Sequence, residues 1–336
     1  MQEVKVMARY ATIVATGRYV PEKEVTNDML RERFKQIPDF VDKMEESSGI
    51  KTRWHAPENW ATSDVALPAA KLAVERAGKK PEDIDLIILG TDSPDYITPA
   101  TSVVLQYKLG AKNAGTFDIG CACASFPTGL SAAAGIIAAN PGIKTVLVVG
   151  VYLMHKLTSP ADPMIFFYGD GAGAAVLEPA SSPGFITSTF RADGSYHDYW
   201  GIYSGGTFEP ASEVSVKAGR TTCTIKNRYP PELNEETWPI IVERLAKDGG
   251  FSLSDVDCFI FTQVRKPTIE RVMQGLGVPA ERAHTIMEQY GYTGSACVGM
   301  ALDHAIEQGK VKSGNLVVMV GSGVGYNQAG CAFRMP

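Results

Sequence analysis

Residues 81–92 read Pro-Glu-Asp-Ile-Asp-Leu-Ile-Ile-Leu-Gly-Thr-Asp, and residues 253–263 read Leu-Ser-Asp-Val-Asp-Cys-Phe-Ile-Phe-Thr-Gln. Each carries a β-branched residue between two aspartates and then an unbroken apolar run. That pattern predicts a strand buried on both faces. A helix-patterned stretch precedes each one, Ser63–Arg76 in the first case and Glu236–Lys247 in the second. The echo continues downstream at an offset of roughly 170 residues. Thr116–Gly120 leads into a helix of small residues over Phe126–Ala139, and Thr285–Gln289 leads into another over Ser295–Gln308. Thr145–Gly150 then matches Leu316–Gly321. Three elements recurring in one order at one spacing point to a duplicated α/β unit. The small-residue helices predict close packing at its centre. Residues 182–232, rich in Ser, Gly, Tyr and Pro, read as loops and short strands between the halves, and Gly330–Arg334 reads as a sheet strand. The halves are assigned to residues 1–180 and 181–336.

The chain of 336 residues, 45% hydrophobic and 21% charged, is long enough to bury a large core. A net charge of −5 argues against nucleic acid or an anionic membrane as partner. No run of about 18 apolar residues is counted, so no membrane span is expected. Met1–Met7 lacks the apolar region of a signal peptide, and Met7 offers an alternative start. The six cysteines lack C-x-x-C spacing and the five histidines lack metal-ligand spacing. Reduced thiols, a cytoplasmic location and no metal are the expectations.

The segment Asp118-Ile-Gly-Cys-Ala-Cys-Ala-Ser-Phe-Pro-Thr-Gly129 ends a buried strand and opens a helix. Cys123 falls at or just before the helix start, with Pro127 in the first turn, where its missing N–H costs little. The unpaired N–H groups and partial positive charge of a helix N-terminus favour a thiolate and lower its pKa. A thiolate is a strong nucleophile for acyl transfer. Set against this is the ordinary fate of cysteine as a small buried filler, which is the reading given to Cys121.

The chain resembles the β-ketoacyl-acyl-carrier-protein synthase III-type condensing enzymes of the thiolase superfamily. The resemblance spans nearly the whole chain. Its motifs are Gly49-Ile-Lys-Thr-Arg53, Thr91-Asp-Ser-Pro-Asp-Tyr96, the Cys123-Ala-Ser-Phe126 loop, Gly169-Asp-Gly-Ala-Gly-Ala174 and Gly321-Ser-Gly-Val-Gly-Tyr326. It implies a five-layer αβαβα fold of two similar halves, a homodimer, and Cys123 as nucleophile. It also implies no tightly bound cofactor; coenzyme A or acyl-carrier thioesters are substrates. The chain departs from the family where a His and an Asn normally accompany the Cys: Thr262 and Tyr292 stand there. A Thr hydroxyl has no basic nitrogen, and Tyr offers one hydrogen bond on a much larger side chain. Acylation of Cys123 is therefore expected, with an oxyanion hole from the backbone N–H groups of Cys123 and Val324. Decarboxylative condensation stands open. Tyr292, with Thr262 or Gln263, either serves a different acceptor or fills the vacated space. Lys43 and Ser47 replace the Trp and Arg that flank the nucleotide end of coenzyme A, while Lys51, Arg53 and Lys156 keep the entrance basic. Thr98 occupies the stretch that relatives extend into the partner's acyl pocket, and its small size predicts room for a bulky chain. His155 and His197 are weighed as a replacement base and not assigned. The alternative function is a catalytically impaired partner subunit in a heteromer with a related chain.

Overall fold

The computed structural model describes residues 9–336, so the reading of Met1–Met7 lies outside the described residues. Thirteen strands follow along them: β1 (Tyr10–Tyr19), β2 (Lys23–Thr26), β3 (Thr52–His55), β4 (Leu86–Gly90), β5 (Gly115–Ile119), β6 (Val146–Tyr152), β7 (Gly171–Ala180), β8 (Phe185–Ala192), β9 (Trp200–Gly201), β10 (Thr224–Ile225), β11 (Cys258–Phe261), β12 (Leu316–Gly323) and β13 (Asn327–Arg334). The first large sheet runs β1-β7-β6-β4-β5 and the second runs β8-β13-β12-β11. β6 and β4 are parallel, as are β12 and β11. β7 and β1 are antiparallel additions to the first pair, and β13 and β8 to the second. One topology is thus built twice from the two echoed stretches.

Two helices of small residues, Ser125–Ala139 and Cys297–Glu307, occupy the middle layer. Their composition follows from how near the sheets come. A Cβ on Gly90 of β4 would stand within 3.0 Å of Ser125, and one on Gly173 of β7 within 3.0 Å of the Gly299 and Met300 backbone. Strand alternation sorts the first sheet's side chains. Ile88, Val146, Val148 and Ala175 join the central core, whereas Ile87, Leu147, Val149 and Val176 pack beneath the outer helices Thr62–Arg76 and Thr101–Leu109. On the second sheet the outer helix is Leu233–Gly249, with Trp238 stacked on Phe261 at 5.0 Å.

One expectation needs correction: residues 182–232 are more than loops and short strands. Thr285–Gln289, the counterpart of Thr116–Gly120 in the echo, forms no strand, so the duplication is incomplete there. A strand's place beside β11 is taken by a single bridge between Phe259 and Ala283, and Met287–Tyr290 is a helical turn. Within residues 182–232, β8 is a full strand of the second sheet, paired along β13. The stretch 122–139 reaches the length and mean hydropathy, 1.4, of a membrane-crossing helix by composition alone. It is apolar because it lies between two sheets, where most of it is buried.

Candidate active site

Gly90 of β4 is in register with Ile119 of β5 and with Gly150 of β6. Asp92, Cys121 and Tyr152 therefore follow the same row by two residues at the carboxyl ends of three adjacent parallel strands. Sites in open α/β sheets form there, where chain direction leaves loops rather than ladder partners. Cys123 lies on a single 3-10 turn, Ala122–Ala124, that leads directly into the central helix. Ala122 adopts φ +46°, a left-handed conformation that non-glycine residues rarely take. Ser125 braces the turn: its Oγ accepts the Cys121 N–H at 3.1 Å and donates to Ile119 O at 3.3 Å.

From the second half, the end of β12 closes over this turn. A Cβ on Gly321 would sit 2.8 Å from Cys123 O, and one on Gly323 3.1 Å from Cys123 N. Only glycine permits that approach. Tyr292 arrives from a loop whose backbone is clamped to Phe167–Gly169. The Tyr292 N–H donates to Phe167 O at 2.7 Å, and the Gly169 N–H donates to Tyr292 O at 3.0 Å. Its hydroxyl lies against Cys123 Sγ in a short contact. The sequence-predicted pair thus meets.

The electrostatics reverse one expectation. Cys123 is 2% exposed. Burial, reinforced by the nearby Asp92 carboxylate and the Cys297 thiol, holds its pKa well above that of an ordinary thiol. Burial, followed by Cys123 and Cys297, likewise raises the Tyr292 phenol. Desolvation and a neighbouring anion outweigh the helix terminus, so the resting site contains a neutral thiol against a neutral phenol. We expect alkylation of Cys123 by iodoacetamide in the free protein to climb through pH 9 and beyond, because the thiolate is the minor form at pH 7. Peptide mapping of the modified protein separates it from the other five cysteines. A plateau complete by pH 7 that persists when Asp92 is replaced by Asn would reinstate the lowered pKa.

The other site residues separate into two groups. Thr262 Oγ1 accepts the Ser322 N–H at 2.9 Å, which ties the end of β11 to the end of β12. Its hydroxyl oxygen serves the backbone rather than replacing an imidazole. Gln263 is fully buried and fully engaged. Its amide donates to Phe261 O and His284 O, and its carbonyl accepts the Ile286 N–H at 2.7 Å. Those bonds hold the chain where the second sheet has no counterpart of β5, and they commit both amide hydrogens to backbone. Arg53, read as an entrance cation, is wholly buried against Phe166 and donates to Val25 O and Asn27 Oδ1; burial lowers its pKa to about 10. Lys156 donates to Glu58 O and Trp60 O, and Lys51 pairs with Glu288 at 2.7 Å on the surface. Lys43 and Thr98 are exposed. Val324 follows Gly323 at the start of a turn and is partly buried. His155 lies 2.5 Å from buried Asp170 and stacks on His55, whose pKa burial pushes down to about 3, while His197 is exposed on a loop. Cys121 lines a separate shallow depression with Thr128, Phe190 and Asn327.

Sequence reasoning missed two groups near the sulfur. Asp92 stands inside a quoted motif, and its place two residues past a buried strand is the signal that marks it. Tyr229, from the irregular 182–232 region, has its phenol pKa raised chiefly by burial and also by the nearby Cys123, and it accepts the Gly325 N–H at 3.2 Å. Nothing in its surrounding sequence announces this.

Comparison with known proteins adds the following. Residues 117–194 match the family model described as 3-oxoacyl-[acyl-carrier-protein] synthase III, and residues 246–335 match the model of its C-terminal part. The β-ketoacyl-[acyl-carrier-protein] synthase III of Syntrophomonas wolfei is 32% identical over 324 residues, 96% of each chain. That of Methylococcus capsulatus is 33% identical over 321 residues, 95% of this chain and 97% of the relative. Among solved structures, 3-oxoacyl-[acyl-carrier-protein] synthase III from Aquifex aeolicus superposes with a TM-score of 0.85 at 28% identity, covering 96% of this chain and 99% of that one. The priming β-ketosynthase of the R1128 polyketide pathway gives 0.87 at 28% identity, covering 98% and 97%.

Proposed function

The chain belongs to the β-ketoacyl-acyl-carrier-protein synthase III family of the thiolase superfamily, and from that premise we propose a reaction centred on Cys123. The enzyme is a condensing acyltransferase that draws its acyl group from a coenzyme A or acyl-carrier thioester. Cys123 carries the acyl group and Tyr292 donates a hydrogen bond to the sulfur or to the reacting carbonyl. The backbone N–H groups of Cys123 and Val324 serve as oxyanion donors. The observation that carries this assignment is the contact between the Tyr292 hydroxyl and Cys123 Sγ at the seam of the two halves. In acylation the sulfur attacks the thioester carbonyl, the C–S bond to the donor breaks, and free donor thiol leaves. Thr262 and Tyr292 stand where the family has its His and Asn, and among the described residues Tyr292 is the one side-chain donor in contact with the sulfur. This favours an acceptor that does not depend on paired donors around an enolate. The test is intact mass after incubation with acetyl-, octanoyl- and malonyl-CoA: an adduct of the acyl mass, mapped to Cys123, supports the assignment, and no adduct with any donor refutes it.

The same reading divides the chain at 180/181, between β7 and β8, and makes the working form a homodimer. Its support is β5, the edge strand of the first sheet, which packs against the helix Thr101–Leu109 carrying exposed Val103 and Tyr107, with exposed Tyr96 and Ile97 just before that helix. A sheet edge flanked by large apolar side chains is the kind of surface that a second copy covers. Six free cysteines accord with a reducing compartment such as the cytoplasm. Lys51 and Lys156 flank the donor entrance, positioned through Glu288 and the 58–60 backbone. In such a dimer Thr98, exposed beside Ile97, reaches the partner's acyl pocket. Thr98→Phe is then expected to shorten the longest acyl-CoA that acylates Cys123, read by mass across a chain-length series. An unchanged length limit would remove Thr98 from the pocket.

A further inference from the structure

Asp92 follows the end of β4, the strand flanked by those leading to Cys123 and Tyr152. Its Oδ1 accepts the Ser295 hydroxyl at 2.9 Å, and its Oδ2 is buried with no hydrogen-bond partner. The Tyr152 hydroxyl at the end of β6, the strand paired with β4, is also buried and unpartnered, as is Oγ1 of Thr293, three residues before the end of the turn that carries Ser295. Folded interiors satisfy nearly all such atoms. Two of them, Asp92 Oδ2 and the Tyr152 hydroxyl, follow adjacent strands of one sheet, and such a pair marks a place where a proton or a polar substrate atom is handled. The titratable groups that feel the Asp92 charge are Cys123, Cys223, Cys297, Tyr152, Tyr168 and Tyr292, and burial keeps every one of them neutral at pH 7. No cation of the described residues acts on Asp92, and its carboxyl is pushed up to about 6, chiefly by burial.

The site therefore holds one negative charge. Ionising Cys123 while Asp92 stays ionised would bury two anions close together without a counter-ion, which is costly. Moving a proton from the thiol to the carboxylate leaves the net charge unchanged and only relocates it. Two groups coupled in this way titrate as a pair sharing one proton.

The geometry points to Asp92 as the acid–base group of the Cys123 reaction, standing in for the absent histidine. This rests on Cys123 being the acylated residue. In the first half-reaction the Asp92 carboxylate takes the Cys123 S–H proton. The thiolate forms a bond to the thioester carbonyl carbon, the carbon–sulfur bond to coenzyme A breaks, and Asp92 returns the proton to the leaving thiolate. In the second half-reaction Asp92 takes the proton of an acceptor X–H as X attacks the acyl carbon. The Cys123 sulfur leaves and recovers that proton. Atoms and charge balance in both halves, and no carbon dioxide is released.

Single-turnover acylation by octanoyl-CoA, followed by intact mass and by released coenzyme A, tests this on the full chain. Acylation by the unaltered protein should rise with pH around a midpoint near 6. Asp92→Asn should slow it at pH 7 by about 10²-fold, the usual scale for losing a general base, and Asp92→Glu should recover part of the rate. The opposing view makes Asp92 only an anion that suppresses the thiolate. Asp92→Asn would then lower the thiol pKa and speed both acylation and alkylation by iodoacetamide, and that outcome overturns the proposal. Ser295→Ala removes the bond that stabilises the carboxylate and should move the acid midpoint upward; an unmoved midpoint also overturns it. This second variant decides the matter should Asp92→Asn not fold. Failure of the unaltered protein to acylate at all would instead refute the Cys123 assignment.

Discussion

Cys123→Ser is expected to abolish the acyl adduct and to cut turnover with any acyl-CoA by at least about 10³-fold. A hydroxyl is far less acidic than a thiol, and the site offers no imidazole to activate it; His155 is 2.5 Å from Asp170 and stacked on His55 instead. The substitution is nearly isosteric, and a Ser hydroxyl keeps a partner in Tyr292. The fold should therefore survive, and the loss should lie in chemistry rather than in stability. The measurement is intact mass and coenzyme A release beside a thermal unfolding curve. Cys121 is the control thiol: it is half-buried and lines a different depression. An adduct that persists in Cys123→Ser and maps to Cys121 would move the nucleophile by two residues and undo the site as described.

The architecture was legible because it rests on local pattern. Apolar runs after Asp-x-Asp became β4 and β11, and the small-residue stretches became the central helices, since close approach of two sheets leaves no room for larger side chains. The nucleophile was legible because a strand-to-helix turn has a motif. What failed was of a different kind. The echo is incomplete at Thr285–Gln289, where β5 has no counterpart and the Gln263 side chain satisfies the neighbouring backbone instead. Arg53, Lys51 and Lys156 looked alike as cations, yet Arg53 is buried, while Lys51 and Lys156 stay at the surface held by Glu288 and by loop carbonyls. The ionisation state of Cys123 depends on desolvation and on Asp92, 31 positions earlier in the chain, and a sequence gives no sum over such terms. Pattern reveals what repeats along the chain, whereas charge at a site is set by what meets there from both halves.

Gly150 ties stability to the site most directly. It lies in β6, paired on one side with Gly90 of β4 and on the other with Gly173 of β7. A Cβ there would fall within 3.0 Å of Ser295 O and 3.2–3.3 Å from the Phe126 side chain. With a strand on each side, the Gly150 backbone cannot yield, and the obstacle is a backbone carbonyl rather than a flexible side chain. Gly150→Ala is thus expected to cost about 3 kcal/mol of stability, the upper end for overpacking in a well-filled core. Gly135→Ala is the matched control. Gly135 lies on the exposed face of the central helix, its φ is not in the left-handed region, and a Cβ there meets nothing within 4 Å. Helix propensity predicts that it stabilises the protein by up to about 1 kcal/mol. Urea unfolding midpoints of the two variants should therefore move in opposite directions. Because Ser295 also carries the hydrogen bond to Asp92, any folded Gly150→Ala protein should acylate Cys123 more slowly with its acid midpoint displaced, a defect that Gly135→Ala does not share. A Gly150→Ala protein as stable as its parent would show that the two halves meet more loosely at β6 than these contacts require, and the shared seam between strand end, Ser295 and Asp92 would have to be redrawn.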